Sequence, residues 1–162
     1  MILNYYKLAS DENYLPKLKV IDSIECHVGY SGLQNIEDLM PTFACLTGAR
    51  EEHVENLYMI TYDHKECING IHHIASGHVT SVEIPVRVIA THIILSGAYG
   101  FKMVHNHPVN VVEPSEDDMD CCLLFEGTAG HLECKYMGHY IISKERCKCI
   151  ETKETYIFEE DD

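Results

Sequence analysis

Between Leu57 and Ser143 the spacing of the apolar residues switches repeatedly between strand and helix periods, which restricts the chain to folds where the two alternate. Leu57 to Tyr62 is a short apolar and aromatic run suited to a strand, and the Asp63-His64-Lys65 turn returns it into Cys67 to Ala75 as a β-hairpin. From Pro85 to Leu95, the residues Val86, Ile89, Ala90, Ile93 and Ile94 recur at helical intervals, and Ser96-Gly97 supplies a stop. Phe101 to His105 reads as a buried strand. Pro114-Ser115 introduces another helix through about Glu126, and Cys134 to Ser143 returns as a strand paired with a last one near Thr152 to Phe158.

Upstream, Asn35 to Gly48 carries Ile36, Leu39 and Met40 at helical spacing, with Asn35 placed to cap the start and Gly48 near the stop. Pro41 predicts a break or an irregular first turn. The element order predicts an α/β fold, a mixed β-sheet sandwiched by helices. At 162 residues, 46% of them apolar, the chain is long enough for one core and one domain.

Charge excludes one class of partner. Twelve basic against 26 acidic side chains leave a formal charge of −14, which repels a phosphate backbone, so nucleic acid is not an expected partner. Lys7 to Lys19 holds three lysines but also Asp11 and Glu12, and forms no basic patch. The start of the chain shows no secretory leader, and no apolar run is long enough to span a bilayer. The expected location is the cytoplasm, without membrane attachment. None of the eight cysteines forms a Cys-x-x-Cys pair, and most are expected to be buried thiols. Cys147-Lys-Cys149 is either a metal clip or, more simply, part of a strand or edge turn.

Chemistry concentrates at one place. His105-Asn106-His107 ends a predicted strand, and strand alternation turns both imidazoles to the same face, making half of a zinc site. Asp118 follows in the first turn of the next helix, where its carboxylate can close on the same ion and leave a fourth position for water. Each part has an ordinary reading too. His-x-His occurs on surfaces and in cores, and Ser115 to Asp118 has the form of a helix capping box.

The combination His105-Asn-His107-Pro108 followed by Pro114-Ser115-x-x-Asp118 resembles the signature of the JAMM (MPN+) metalloproteases, specifically their RadC-like bacterial branch. Ser76-Gly77, Val82-Glu83, Arg87 and Gly138-His139-Tyr-Ile-Ile extend the likeness, which covers about Asn35 to Ser143. The resemblance implies a cytidine-deaminase-like architecture. It also implies Zn2+ held by His105, His107 and Asp118, a glutamate acting on the zinc-bound water, and Ser115 donating to the oxyanion. Glu55, which opens the first hairpin strand, takes the glutamate's place, with Glu51 and Glu52 as competing assignments. The implied reaction is hydrolysis of a peptide or isopeptide amide in a peptide or protein substrate. A non-catalytic binding module and a DNA-related factor are the alternatives.

The chain departs from the family at Val109-Asn110, where His-Pro is usually followed by Ser-Gly, and at Gly138, where Asp precedes the histidine. The expected division is an N-terminal extension of residues 1–34, the RadC-like domain over 35–158 and an acidic tail at 159–162. Family geometry would also bring His72, His73 and His78 toward the metal, although polar loop or edge positions are the simpler account. His92, His131, His64, His53 and His27 have no partner by spacing, and His139 reads as a structural histidine at a strand end.

Overall fold

The computed structural model describes residues 1–27, 33–77 and 84–159. His78, Val82, Glu83 and the tail beyond Glu159 therefore lie outside the described residues. Eight strands form one mixed sheet: β1 (Ile2–Ser10), β2 (Pro16–Glu25), β3 (Asn56–Tyr62), β4 (Ile68–Ser76), β5 (Gly100–Asn106), β6 (Lys135–Ile142), β7 (Arg146–Cys149) and β8 (Thr155–Ile157). Their order across the sheet is β2-β1-β4-β3-β5-β6-β7-β8. Among the described residues three helices cover it: α1 (Ile36–Thr47), α2 (Val86–Ser96) and α3 (Glu116–His131). The predicted α/β class and mixed sheet are what the chain adopts.

β3 and β5 sit at the centre and are buried along their whole length. Alternation divides their side chains between two cores. Tyr58, Ile60, Tyr62 and Val104 join Leu39, Met40 and Phe43 of α1 on one face. Leu57, Met59, Phe101 and Met103 join Ile89 and Ile93 of α2 and Phe125 and Ala129 of α3 on the other. A strand packed on both faces reads as a continuous apolar run, which is why Leu57 to Tyr62 was visible as a strand.

Several expectations are corrected. α1 runs unbroken through Pro41, and Asn35 makes no side-chain cap bond. A proline in a helix interior costs about 3 kcal/mol, and burial of Ile36, Leu39, Met40, Phe43, Ala44 and Leu46 offsets it. Gly48 and Gly97 do stop α1 and α2 in the left-handed conformation. α3 continues past Glu126 to His131, because Thr128 and Ala129 are still buried. The last strand does not pair with β6; β7 lies between them, with Cys147 and Cys149 in the α1-side core. Only Cys26, Cys147 and Cys149 are buried, and all eight thiols are free.

The first residues form the β1–β2 hairpin, whose β1 adds in parallel to β4 through Tyr5–Ile71 and Tyr6–His72. Here His92 gains the partner that spacing did not reveal. His72 Nδ1 lies 3.1 Å from His92 Nδ1, and Thr61 Oγ1 lies 2.9 Å from His72 Nε2, with Tyr6 stacked on His72. Both imidazoles are fully buried. Burial, reinforced by each ring's histidine neighbours, pushes His72 down to about 3 and His92 down to about 4.

Since these folded values lie below the ordinary 6.5, the unfolded chain takes up more protons in acid. The stability they confer is intact above about pH 6.5 and declines as pH falls toward about 4. Urea denaturation should show this loss between pH 7 and pH 5, and His92→Leu should remove about half of what this pair contributes to the slope. An identical slope in that variant would refute the assignment.

Candidate metal centre

β5 pairs antiparallel with β3, placing Leu57 opposite His105, and parallel with β6, placing Ile141 opposite His105. His107 follows directly, its backbone N–H donating to the Ile142 carbonyl at 2.8 Å. Both rings therefore leave the sheet at its edge toward α3. Ser115 caps α3 with a capping box: its Oγ accepts from the Asp118 N–H at 3.1 Å, and Asp118 Oδ2 accepts from the Ser115 N–H at 2.8 Å. Ser115 Oγ–H also donates to Oδ2, at 2.8 Å. The cap and the ligand readings of Asp118 are compatible, because Oδ1 remains directed at His105 Nε2, 3.2 Å away.

His105, His107 and Asp118 form the one group of three potential ligands among the described residues, with one ligand atom from each lying within 4.8 Å of the others. His105 Nε2 is 2.9 Å from His107 Nε2, and His107 Nε2 is 3.7 Å from Asp118 Oδ2. Bonds of 2.0–2.1 Å to a common tetrahedral centre would separate such atoms by about 3.3 Å. The set brackets that spacing.

The hydrogen bonds accommodate an arrangement of ring protons that leaves both Nε2 atoms free to ligate. Val111 O can only accept, so His107 Nδ1, 2.8 Å away, donates and leaves Nε2 as a lone pair. With the Cys122 S–H placed on Asp118 O, its sulfur accepts from His139 Nδ1 at 3.6 Å. His139 Nε2 is then an acceptor for His105 Nδ1–H at 2.7 Å. Both His105 and His107 consequently aim Nε2 lone pairs at a carboxylate, a donor set suited to a divalent cation.

Electrostatics agree. Burial, with the neighbouring His105, holds His107 below its ordinary value, so the ring is neutral and able to ligate at neutral pH. Burial alone would raise the Asp118 carboxyl, but the His105 ring beside Oδ1 and the two bonds from Ser115 outweigh that and keep it ionised. His139 is 1% exposed, and burial together with His105 keeps it neutral.

Glu55 is 7% exposed, and burial raises its carboxyl. His105 partly opposes the rise and Asp118 adds to it, which locates Glu55 within their electrostatic reach. Glu51 instead lines a cleft with Pro41, Ala44 and Phe158, and Glu52 acts on Tyr5, Tyr58 and His73. His73 bonds Asn56 and Ser76, at 3.2 and 3.1 Å, while His72 is engaged with His92.

His139 is more than a strand-end histidine, since it contacts His105. The only sequence signal for this was its place in Gly138-His139. Glu151 accepts the His139 N–H at 3.0 Å, supplying a carboxylate beside Gly138, where the family carries Asp. In the altered loop, Asn110 Oδ1 accepts from Ser143 Oγ at 2.9 Å and ties the segment to β6.

His139→Phe should weaken divalent-metal binding by about 10- to 100-fold, as loss of a ligand's hydrogen-bond partner does. Competition against a chromophoric chelator measures it, and unchanged affinity would remove His139 from the centre.

A family model described as the RadC-like JAB domain matches residues 33–155. No curated protein matches the chain. The match starts just before α1 and ends in β8, so it contains every residue of the centre. With most of its length matched, and with two histidines and an aspartate converging at the end of β5, the chain belongs to the RadC-like JAB domain family.

Proposed function

We propose that this protein is a zinc-dependent hydrolase that cleaves a peptide or isopeptide amide. The observation that supports the reading most is the convergence of two imidazole lone pairs and one carboxylate oxygen beside a buried glutamate. His105, His107 and Asp118 would hold the ion, which when bound supplies Lewis acidity and acidifies a water. Its identity as zinc rests on the nitrogen-rich donor set.

In this reading Glu55 accepts a proton from the attacking water and passes it to the leaving amine. Its raised affinity for protons suits a group that must both take and release one near neutral pH. Ser115 Oγ–H donates to the developing oxyanion, exchanging its present bond to Asp118 Oδ2 for one to the substrate. His139 fixes the His105 tautomer from behind. Residues 35–158 are the catalytic unit and residues 1–34 an extension of it. A peptide or protein substrate in the cytoplasm completes the proposal. No helix among the described residues is long and apolar enough to cross a membrane. The net charge of −14 disfavours a role on DNA.

His107→Ala should abolish stoichiometric zinc. Glu55→Gln should retain zinc and lose turnover of peptide or isopeptide substrates by roughly a hundred-fold or more. Wild-type turnover by Glu55→Gln would end the assignment of Glu55, and metal-free wild-type protein after zinc exposure would end the hydrolase reading.

A further inference from the structure

Asn106 lies between the two histidines, so strand alternation turns it away from the ion they would hold. It is 1% exposed, and both polar atoms of its side chain are bonded. Oδ1 accepts the Asn56 backbone N–H at 2.7 Å, and Nδ2 donates to the Val54 carbonyl at 2.9 Å. These two backbone groups flank Glu55.

The register explains why a side chain is needed there. The β3–β5 ladder ends at Leu57 opposite His105, because the next residues of β5 turn to β6, where His107 N–H bonds Ile142 O. Asn56 and Val54 would otherwise face that gap without backbone partners. In an antiparallel ladder, the residues on either side of a non-hydrogen-bonded position offer one carbonyl and one N–H to the neighbouring strand. The Asn106 amide presents the matching N–H and C=O. It therefore adds one further rung by imitation of a peptide group, and Glu55 occupies the position that rung encloses. The β4 side is held as well, where Glu55 O accepts Gly77 N–H at 2.9 Å, and Val54 O takes a second bond from Asn56 Nδ2 at 3.1 Å.

We propose that Asn106 is the positioning residue for Glu55, its side-chain amide extending the β3–β5 ladder so that a single strand end sets both histidine ligands and the glutamate. The positioning role rests on the hydrolase reading above; the brace itself does not. Asparagine suits the task because aspartate lacks the donor, serine is too short for both bonds, and glutamine is one methylene too long.

Two measurements on Asn106→Ala and Asn106→Asp test this. The first is amide hydrogen exchange in the metal-free protein. Exchange at Asn56 should quicken roughly tenfold in the alanine variant, the loss of about one buried hydrogen bond, while Met59 and Met103 amides keep their protection. Unchanged exchange at Asn56 overturns the brace. Loss of protection throughout β3 and β5 overturns it too, since Asn106 would then be a general core residue.

The second uses cobalt(II) alone as the probe, read by its visible absorption across pH. Both variants should bind cobalt as the wild type does, with the spectral inflection displaced in the same direction as in Glu55→Gln. Glu55→Gln/Asn106→Ala should match Glu55→Gln. A wild-type inflection in Asn106→Ala overturns the positioning role. Failure of the wild type to take up cobalt would count against the hydrolase reading and take the positioning role with it, leaving exchange to decide the brace.

Discussion

The pairing of Leu57 with His105 across β3 and β5 is the constraint on which the centre depends. Both strands are buried on both faces, so their register is fixed by two cores at once. A slip of one residue would move Met103 and His105 to the α1 face and Val104 to the α3 face. Ligand placement is thereby inherited from hydrophobic packing, and no local interaction among the ligands has to enforce it. The parallel neighbour β6 brings His139 behind His105, and the capped helix brings Asp118 in front.

Asp118 shows how one side chain can serve folding and chemistry together. Its Oδ2 satisfies the free backbone amide of Ser115, which stabilises a helix start by about 1 kcal/mol. Its Oδ1 remains for His105. Glu116 and Asp117 share this first turn, where the helix dipole favours negative charge. The aspartate is thus ionised and oriented by the helix start alone, without needing a cation to place it.

What could be read from sequence follows physical locality. Leu57 to Tyr62, the helix ending at Gly97 and the His105-Asn-His107 strand end were legible because periodicity and punctuation act over a few residues. The β1–β2 hairpin was not, since β2 is an exposed edge with weak alternation and its place beside β4 depends on long-range pairing. Pro41 misled because a local penalty was weighed without the core that outweighs it. At the site, the spacing of His105, His107 and Asp118 was informative because each sits at an element end. The contact from His139 and the bonds from Asn106 were hidden, because they arise from strands whose partners are fixed only in three dimensions.

Two histidine pairs on the same side of the sheet show why residue type alone does not define a metal site. At His72 and His92, Asn69 gives its amide N–H to Ser96 O and presents Oδ1 to Thr61, whose hydroxyl donates there at 2.5 Å. Thr61 must then accept from His72 Nε2–H, and His72 Nδ1 accepts from His92 Nδ1–H. Every proton in that chain points one way, the rings face each other, and no carboxylate stands among these partners. At His105 and His107 the Nδ1 protons are drawn outward, to His139 and Val111, and the Nε2 lone pairs turn inward on Asp118. Protonation of the first pair opposes folding, whereas the second pair gains from a positive charge between its nitrogens. The partners behind each ring, not the rings themselves, decide which pair carries structure and which can carry an ion.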